Sequence, residues 1–255
     1  MHRVFLQIGP CTFYSYGLCV AIGFLVSAFF LLRSVDKCSD ISRGTILDCF
    51  ITLLISGLIG GRLLYVFINW EYYLRFPFRI LMFHEGGLAF QGALITAVFS
   101  GIVFCGIKKI SFWKMSDLIV PYIALGQAFG RIGCFLNGCC YGGIVQSGCR
   151  VTFPGEDVCR IPVQLYSSMI LFLICMLLLK LRQKDFFQGV IFALYLVLYG
   201  AFRFFIDFLR GDNLVLICGI KLSQIIGAGT FLIGLLLFFV LKYKKSKERV
   251  KLITK

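Results

Sequence analysis

"GLAFQGALITAVFSGIVFCGIKK", residues 87–109, decides the fold. Its first 21 residues contain no Asp, Glu, Lys or Arg, and the run ends on two lysines. A helix rising about 1.5 Å per residue needs roughly 20 apolar residues to cross a hydrocarbon core of about 30 Å. Comparable runs, a few of them carrying a charge, recur at 13–32, 46–68, 115–136, 162–179, 188–206 and 223–241. Hydrophobic residues make up 59% of the 255-residue chain, where a water-soluble domain is nearer half apolar. The sequence therefore predicts an all-α membrane protein of about seven transmembrane helices, forming one polytopic domain over 1–255.

The lysines that close the quoted run belong to a pattern. The chain carries a formal charge of +14, and its basic residues gather in alternate gaps between apolar runs. Arg33, Lys37 and Arg43 form one group; Lys108, Lys109 and Lys114 a second; Lys180, Arg182 and Lys184 a third. With the tail "KYKKSKERVKLITK" (242–255) these groups hold sixteen of the 26 Lys and Arg. Positive residues flanking spans stay on the cytoplasmic side. The N-terminus is thus expected outside and the C-terminus, with its basic tail, in the cytoplasm. Basic residues interleaved with aromatic ones, as single-strand binding requires, are missing, so nucleic acid is not an expected partner. The opening segment "MHRVFLQIGPCTFYSYG" lacks a basic region and a small-residue cleavage site, and reads as a short extracytoplasmic segment rather than a signal peptide. Small residues four apart, Gly57 with Gly61 and Gly126 with Gly130, are candidates for close helix contacts, since van der Waals packing holds helices together in lipid.

Ionisable residues inside spans are costly and face a partner or a wet cavity. "GLIGGRLLYVFIN" holds Arg62 and Tyr65, and "GRIGCFLNGCCYG" (130–142) holds Arg131. "LYGAFRFFIDFLRGD" holds Arg203, Asp207, Arg210 and Asp212. Positions 203, 207 and 210 share one helical face, so Asp207 can pair with either arginine. Purely structural ion pairs are one reading, and for Arg210 and Asp212 it weighs as much as a functional one. Arg131 and Arg203 lack an acid apiece, and that favours a phosphate site built from guanidinium forks.

The twelve cysteines divide by location. Cys19, Cys49, Cys105 and Cys175 lie in apolar runs and read as small buried hydrophobes. Cys134, Cys139, Cys140, Cys149 and Cys159 crowd around one segment expected outside. Zinc asks for C-x-x-C pairs or histidines at matching spacing, and only His2 and His84 exist, so no metal or other cofactor is expected. A Cys149–Cys159 disulfide would suit an oxidising exterior, and no C-x-x-C supports thiol redox chemistry.

"GRIGCFLNGCCYG" resembles the signature of bacterial prolipoprotein diacylglyceryl transferases, in which Gly-Arg-x-Gly-Asn-Phe-x-Asn-Gly-Glu is usual. The resemblance covers nearly the whole chain. "FYSYGLCVAIGF" is similar to the family's first span and "GGRLLYVFIN" to its second. "HEGGLAFQGALI" resembles the Gly-Gly-x-x-x-His-Gly-Gly stretch, and "RIPVQLYSS" the Pro-x-Gln-Leu-Tyr-Glu segment. "YGAFRFFIDFLRGD" resembles Arg-x-x-x-Glu-x-x-Arg-x-x-Asp, and "LSQIIG" the last span.

The resemblance implies transfer of the diacylglyceryl group of phosphatidylglycerol to the lipobox cysteine thiol of a prolipoprotein, in the bacterial inner membrane, with glycerol phosphate leaving. Arginines would stabilise the departing phosphate, and the attacking thiol must lose its proton. Tyr16, Arg62, Arg131, Asn137, Arg203 and Arg210 match positions the family keeps, and Asp207 stands where a glutamate is usual. Arg131, Arg203 and Asp207 are then the catalytic candidates; Tyr16, Arg62, Asn137 and Arg210 would bind substrate. Four positions depart: Gln91 replaces a histidine, Cys134 an asparagine, Cys139 the signature glutamate, and Ser167 the glutamate after Gln-Leu-Tyr. His84 is an alternative base, against its plainer reading as a boundary histidine. These departures keep two other readings open: transfer to a different acceptor with Cys139 assisting, and a non-enzymatic channel or lipid-binding scaffold.

Overall fold

A computed structural model describes residues 4–8, 11–38, 41–82, 86–145, 151–153, 158–184, 186–211 and 221–253. His84, Cys149 and Asp212 lie outside these residues. Seven helices are long and apolar enough to cross a membrane: α1 (Ser15–Cys38), α2 (Arg43–Ile68), α4 (Phe90–Ile107), α5 (Phe112–Asn137), α6 (Val163–Arg182), α7 (Val190–Leu209) and α8 (Leu222–Ile253). Each covers all but at most three residues of one of the seven apolar runs. Spanning segments are helical because lipid offers the backbone no hydrogen-bond partner. The protein is an all-α, multi-pass membrane protein.

The ends of the spans were less legible. A short hairpin of β1 (Val4–Ile8) and β2 (Cys11–Tyr14) precedes α1, in a segment to which the sequence assigned no secondary structure. Between α2 and α4 the chain forms a six-residue helix α3 (Trp70–Arg75) and a 3-10 turn (Pro77–Leu81). At the other end, α8 continues through the basic stretch as far as Ile253.

By its internal contacts the chain forms two compact units, residues 1–31 with 116–255, and residues 32–115. In the smaller unit α2 and α4 lie side by side. A Cβ on Gly61 would stand 3.4 Å from the Ala89 carbonyl, but the tightest approach is at Gly60 and Gly92, one facing Thr96 and the other the Gly60 carbonyl. Polar links join the same helices: Thr96 Oγ1 donates to the Ser56 carbonyl at 2.8 Å, and Ser56 and Ser100 share a hydroxyl bond of 2.7 Å. In lipid, close backbones and such hydroxyls hold helices together, because apolar side chains gain little by leaving lipid for each other.

The larger unit has its core among α5, α6 and α7, where Val120, Ala124, Leu171, Leu178, Ile191 and Phe202 are buried. Both carboxylate oxygens of Asp117 cap α7 from α5, accepting from Gly189 N at 2.6 Å and Phe192 N at 2.8 Å. That satisfies amides which would otherwise be orphaned at the start of a helix. α8 packs against α7 through glycine, and a Cβ on Gly200 would meet the Phe231 amide nitrogen at 2.5 Å. α1 meets α5 at Gly126, whose Cβ would lie 3.4 Å from Ser27 Oγ, and at Gly133, close to Cys19 and Tyr16. Gly130 has open space beside it, so of the predicted 126/130 pair only Gly126 packs.

Candidate functional site

The last two turns of α7 and the end of α5 assemble the charged residues of the larger unit. On α7, Asp207 is fully buried; its Oδ2 lies 3.3 Å from Arg203 Nε and its Oδ1 3.9 Å from an Arg210 Nη. The i, i+4 and i+3 spacing puts all three on one stripe, as the sequence implied. Arg203 is also within electrostatic range of Arg131 on α5 and of Arg210. Two guanidinium groups thus approach one carboxylate, and a third lies in electrostatic range of Arg203. No acid pairs with Arg131 among the described residues, which leaves the cluster with excess positive charge suited to an anion.

The α5 end is built by its glycine. Gly138 has φ +69°, a left-handed turn that costs glycine little. Its amide donates to the Phe135 carbonyl at 3.1 Å, and the Cys139 amide donates to the Cys134 carbonyl at 3.1 Å. This pair of bonds is a Schellman cap, which folds the residue after the glycine back against the last helical turn. Asn137 is the final helical residue. Beyond it, residues 141–145 run between two neighbouring segments. Gly142 N donates to the Ile161 carbonyl at 3.0 Å, while Gly143 N donates to the Leu209 carbonyl at 2.9 Å. This ladder ties the α5 loop to the end of α7 and pairs Gly142 with Arg210. A Cβ at Gly142 would come within 2.7 Å of Ile161 and Val163 side chains, so the loop needs glycine there.

Tyr16, near the start of α1, lies beside Gly133 and within electrostatic range of Arg131, Cys134, Cys139 and Cys140. Arg131, Arg203, Asp207, Arg210, Tyr16, Asn137 and Cys139 therefore all belong to the larger unit. Arg62 and Gln91 belong to the smaller one. All five N–H groups of Arg62 point at backbone carbonyls: Nε at Ile80 (2.9 Å), Nη1 at Gly86 and Gly87, and Nη2 at Arg79 and Met82 (3.1 Å). Its guanidinium also sits over the Tyr73 ring. Gly87 has φ +76°, and a Cβ there would strike the Tyr65 ring at 2.6 Å. Gln91 is exposed on the first turn of α4, and Ser167 is buried on α6.

A family profile, for prolipoprotein diacylglyceryl transferases, matches residues 3–240. The chain belongs to that family. Relatives of this transferase named phosphatidylglycerol–prolipoprotein diacylglyceryl transferase include one from Bacillus cytotoxicus, 33% identical across 98% of this chain and 95% of its own length. One from Clostridium tetani is 34% identical across 96% of this chain and all of its own, and one from Finegoldia magna 35% across 96% and 97%. The transferase is an enzyme, and the channel and scaffold readings fall with that finding.

Three residues of the transferase went unnoticed in the sequence. Lys221, just before α8, donates Nζ to the Asp207 carbonyl at 2.8 Å and to the Arg210 carbonyl, closing the end of α7 with a cation. Gln164, buried on α6, donates Nε2 to the Cys139 carbonyl at 2.8 Å; its Oε1 has no partner among the described residues. Arg160 lies over the Tyr141 ring, 4.3 Å from its centroid. Lys221 was readable as a basic residue one position before a span. Gln164 and Arg160 lie in the "RIPVQLYSS" stretch that carries the resemblance, but its spacing gave no sign of which groups they would touch.

Proposed function

We propose that this transferase moves the diacylglyceryl group of phosphatidylglycerol to the lipobox cysteine thiol of prolipoproteins during lipoprotein maturation. The observation that carries the reading is the pairing of Arg203 and Arg210 with one buried carboxylate, Asp207, with Arg131 in electrostatic range of Arg203. The thiolate sulfur attacks the glyceryl carbon bearing the phosphate oxygen; the carbon–oxygen bond breaks, a thioether forms and glycerol phosphate leaves with the electron pair. Arg131 and Arg203 bind the phosphate as its charge grows, and hydrogen bonds aimed at developing charge give the largest single contribution to such catalysis. Arg210 supports them, Asp207 fixes their forks, and Tyr16 and Asn137 line the glycerol side. Arg62 holds the loop that contains Gly86 and Gly87 within the smaller unit. The N-terminus faces outward and the C-terminus the cytoplasm of a bacterial inner membrane, in keeping with the basic gaps.

A second reading has Cys139 in place of the usual glutamate, Gln91 in place of histidine and Ser167 in place of glutamate as marks of a different acceptor. One assay tests both. Purified protein is incubated with phosphatidylglycerol and a lipobox peptide, and the products are weighed by mass spectrometry. A diacylglyceryl adduct on the peptide thiol is expected. Folded protein that consumes the lipid without forming that adduct would favour the second reading, and folded protein that does neither would sink both.

A further inference from the structure

We propose that Cys134, Cys139 and Cys140 form a three-thiolate site for a soft metal cation, and that Cu(I) is the ion it fits. The three sulfurs lie within 4.8 Å of one another. Metal–thiolate bonds of about 2.3 Å put the sulfurs of a trigonal site about 4 Å apart, so small side-chain adjustments close this one.

The backbone explains how a C-x4-C-C spacing reaches this geometry. In a Schellman cap the residue after the left-handed glycine packs on the residue three positions before the helix cap. Here those residues are Cys139 and Cys134. Cys140 completes the set from an unusual conformation, with φ +62°, where residues other than glycine are rare and which gathers at functional sites. Cys139 is held by both its backbone groups. Its amide goes to the Cys134 carbonyl and its carbonyl accepts from Gln164.

The donor set selects the ion. Among the described residues the group has three sulfurs and no histidine or carboxylate, a soft site, and soft thiolates select Cu(I) over harder cations. Structural zinc takes four protein ligands and catalytic zinc three with a water, whereas d10 Cu(I) completes a trigonal shell with three thiolates alone. A Cu(I) ion on three thiolates carries two negative charges. Arg131, one turn before Cys134 on the same helix face, offsets part of that charge. Binding transfers no electron: three copper–sulfur bonds form, three thiol protons leave to solvent, and the ion enters already reduced.

The site is tested by direct ion binding, independently of the transfer reaction. The full-length protein, purified in detergent with reductant and without oxygen, is titrated with Cu(I) against a Cu(I) chelator. One tightly held equivalent is expected, with an X-ray absorption spectrum showing three sulfur neighbours. Cys134→Ser and Cys140→Ser should each weaken it by more than about a hundredfold, beyond what loss of an outer-shell partner costs. Cys19→Ser and Cys175→Ser should leave it unchanged. Equal retention in all four variants, or nitrogen or oxygen neighbours in the spectrum, would overturn the proposal. So would alkylation mapping that finds any two of the three sulfurs joined as a disulfide in protein taken from the membrane. Thermal unfolding identifies a variant that fails to fold, and the other ligand variant then decides.

Discussion

Asp207 Oδ2 lies 3.3 Å from Nε of Arg203, one turn back on α7, and the carboxylate is wholly buried. The same side chain reaches Arg210 through its other oxygen at 3.9 Å. One buried acid thus orients two arginines, and its removal takes a partner from each.

Asp207→Asn keeps the shape and removes the charge. Breaking one side of a buried ion pair costs about 3–5 kcal/mol, so the variant should unfold at a clearly lower temperature in detergent. Asp207→Glu should recover most of the loss. An unchanged unfolding temperature in Asp207→Asn would mean that the arginines find other partners.

Arg131 and Arg203 are predicted to act through their forks as well as their charge. Arg→Ala at either position should lower turnover by about 10²–10³, the usual cost of losing one donor to developing charge. Lysine should restore only part of it, because an ammonium cannot grip a phosphate with two parallel bonds. Turnover measured with phosphatidylglycerol at saturating lipopeptide checks this, and full activity in the lysine variants would count against a bidentate role.

Arg62 should behave differently, since its five N–H groups are committed to the carbonyls of residues 79–87. Arg62→Met takes a donor from each of those carbonyls, of which Arg79 alone is shown to keep a backbone donor, from the Met82 amide. Hydrogen exchange across 79–90 should quicken by at least about tenfold, given roughly 1–3 kcal/mol for each buried group left unsatisfied. Exchange unaltered by the substitution would argue for a direct role on substrate instead.

Gly200 lets α7 and α8 approach until a Cβ would lie 2.5 Å from the Phe231 nitrogen. Gly200→Ala should cost about 1–3 kcal/mol as the backbones separate, and Gly200→Leu more. Gly130→Ala, beside open space, should be nearly silent. Thermal unfolding of the three variants tests the ranking.

The seven spans, the shared face of Arg203, Asp207 and Arg210, and the family were all legible in residue order. Span length follows from bilayer thickness, a helical face follows from a period of 3.6 residues, and a motif is local by definition. Which glycines meet a neighbouring helix was not legible, because Gly60 and Gly61 look alike until α4 is placed against α2. The commitment of Arg62 to carbonyls 17 to 25 residues away was equally hidden. The cysteines fall between the two cases. Their spacing excluded a familiar zinc pattern, yet Gly138 after a helix was already the sign of a cap that returns Cys139 to Cys134. The left-handed backbone at Cys140, and the ladder that fastens its loop to α7, needed tertiary structure, because long-range hydrogen bonds decide them and no local preference does.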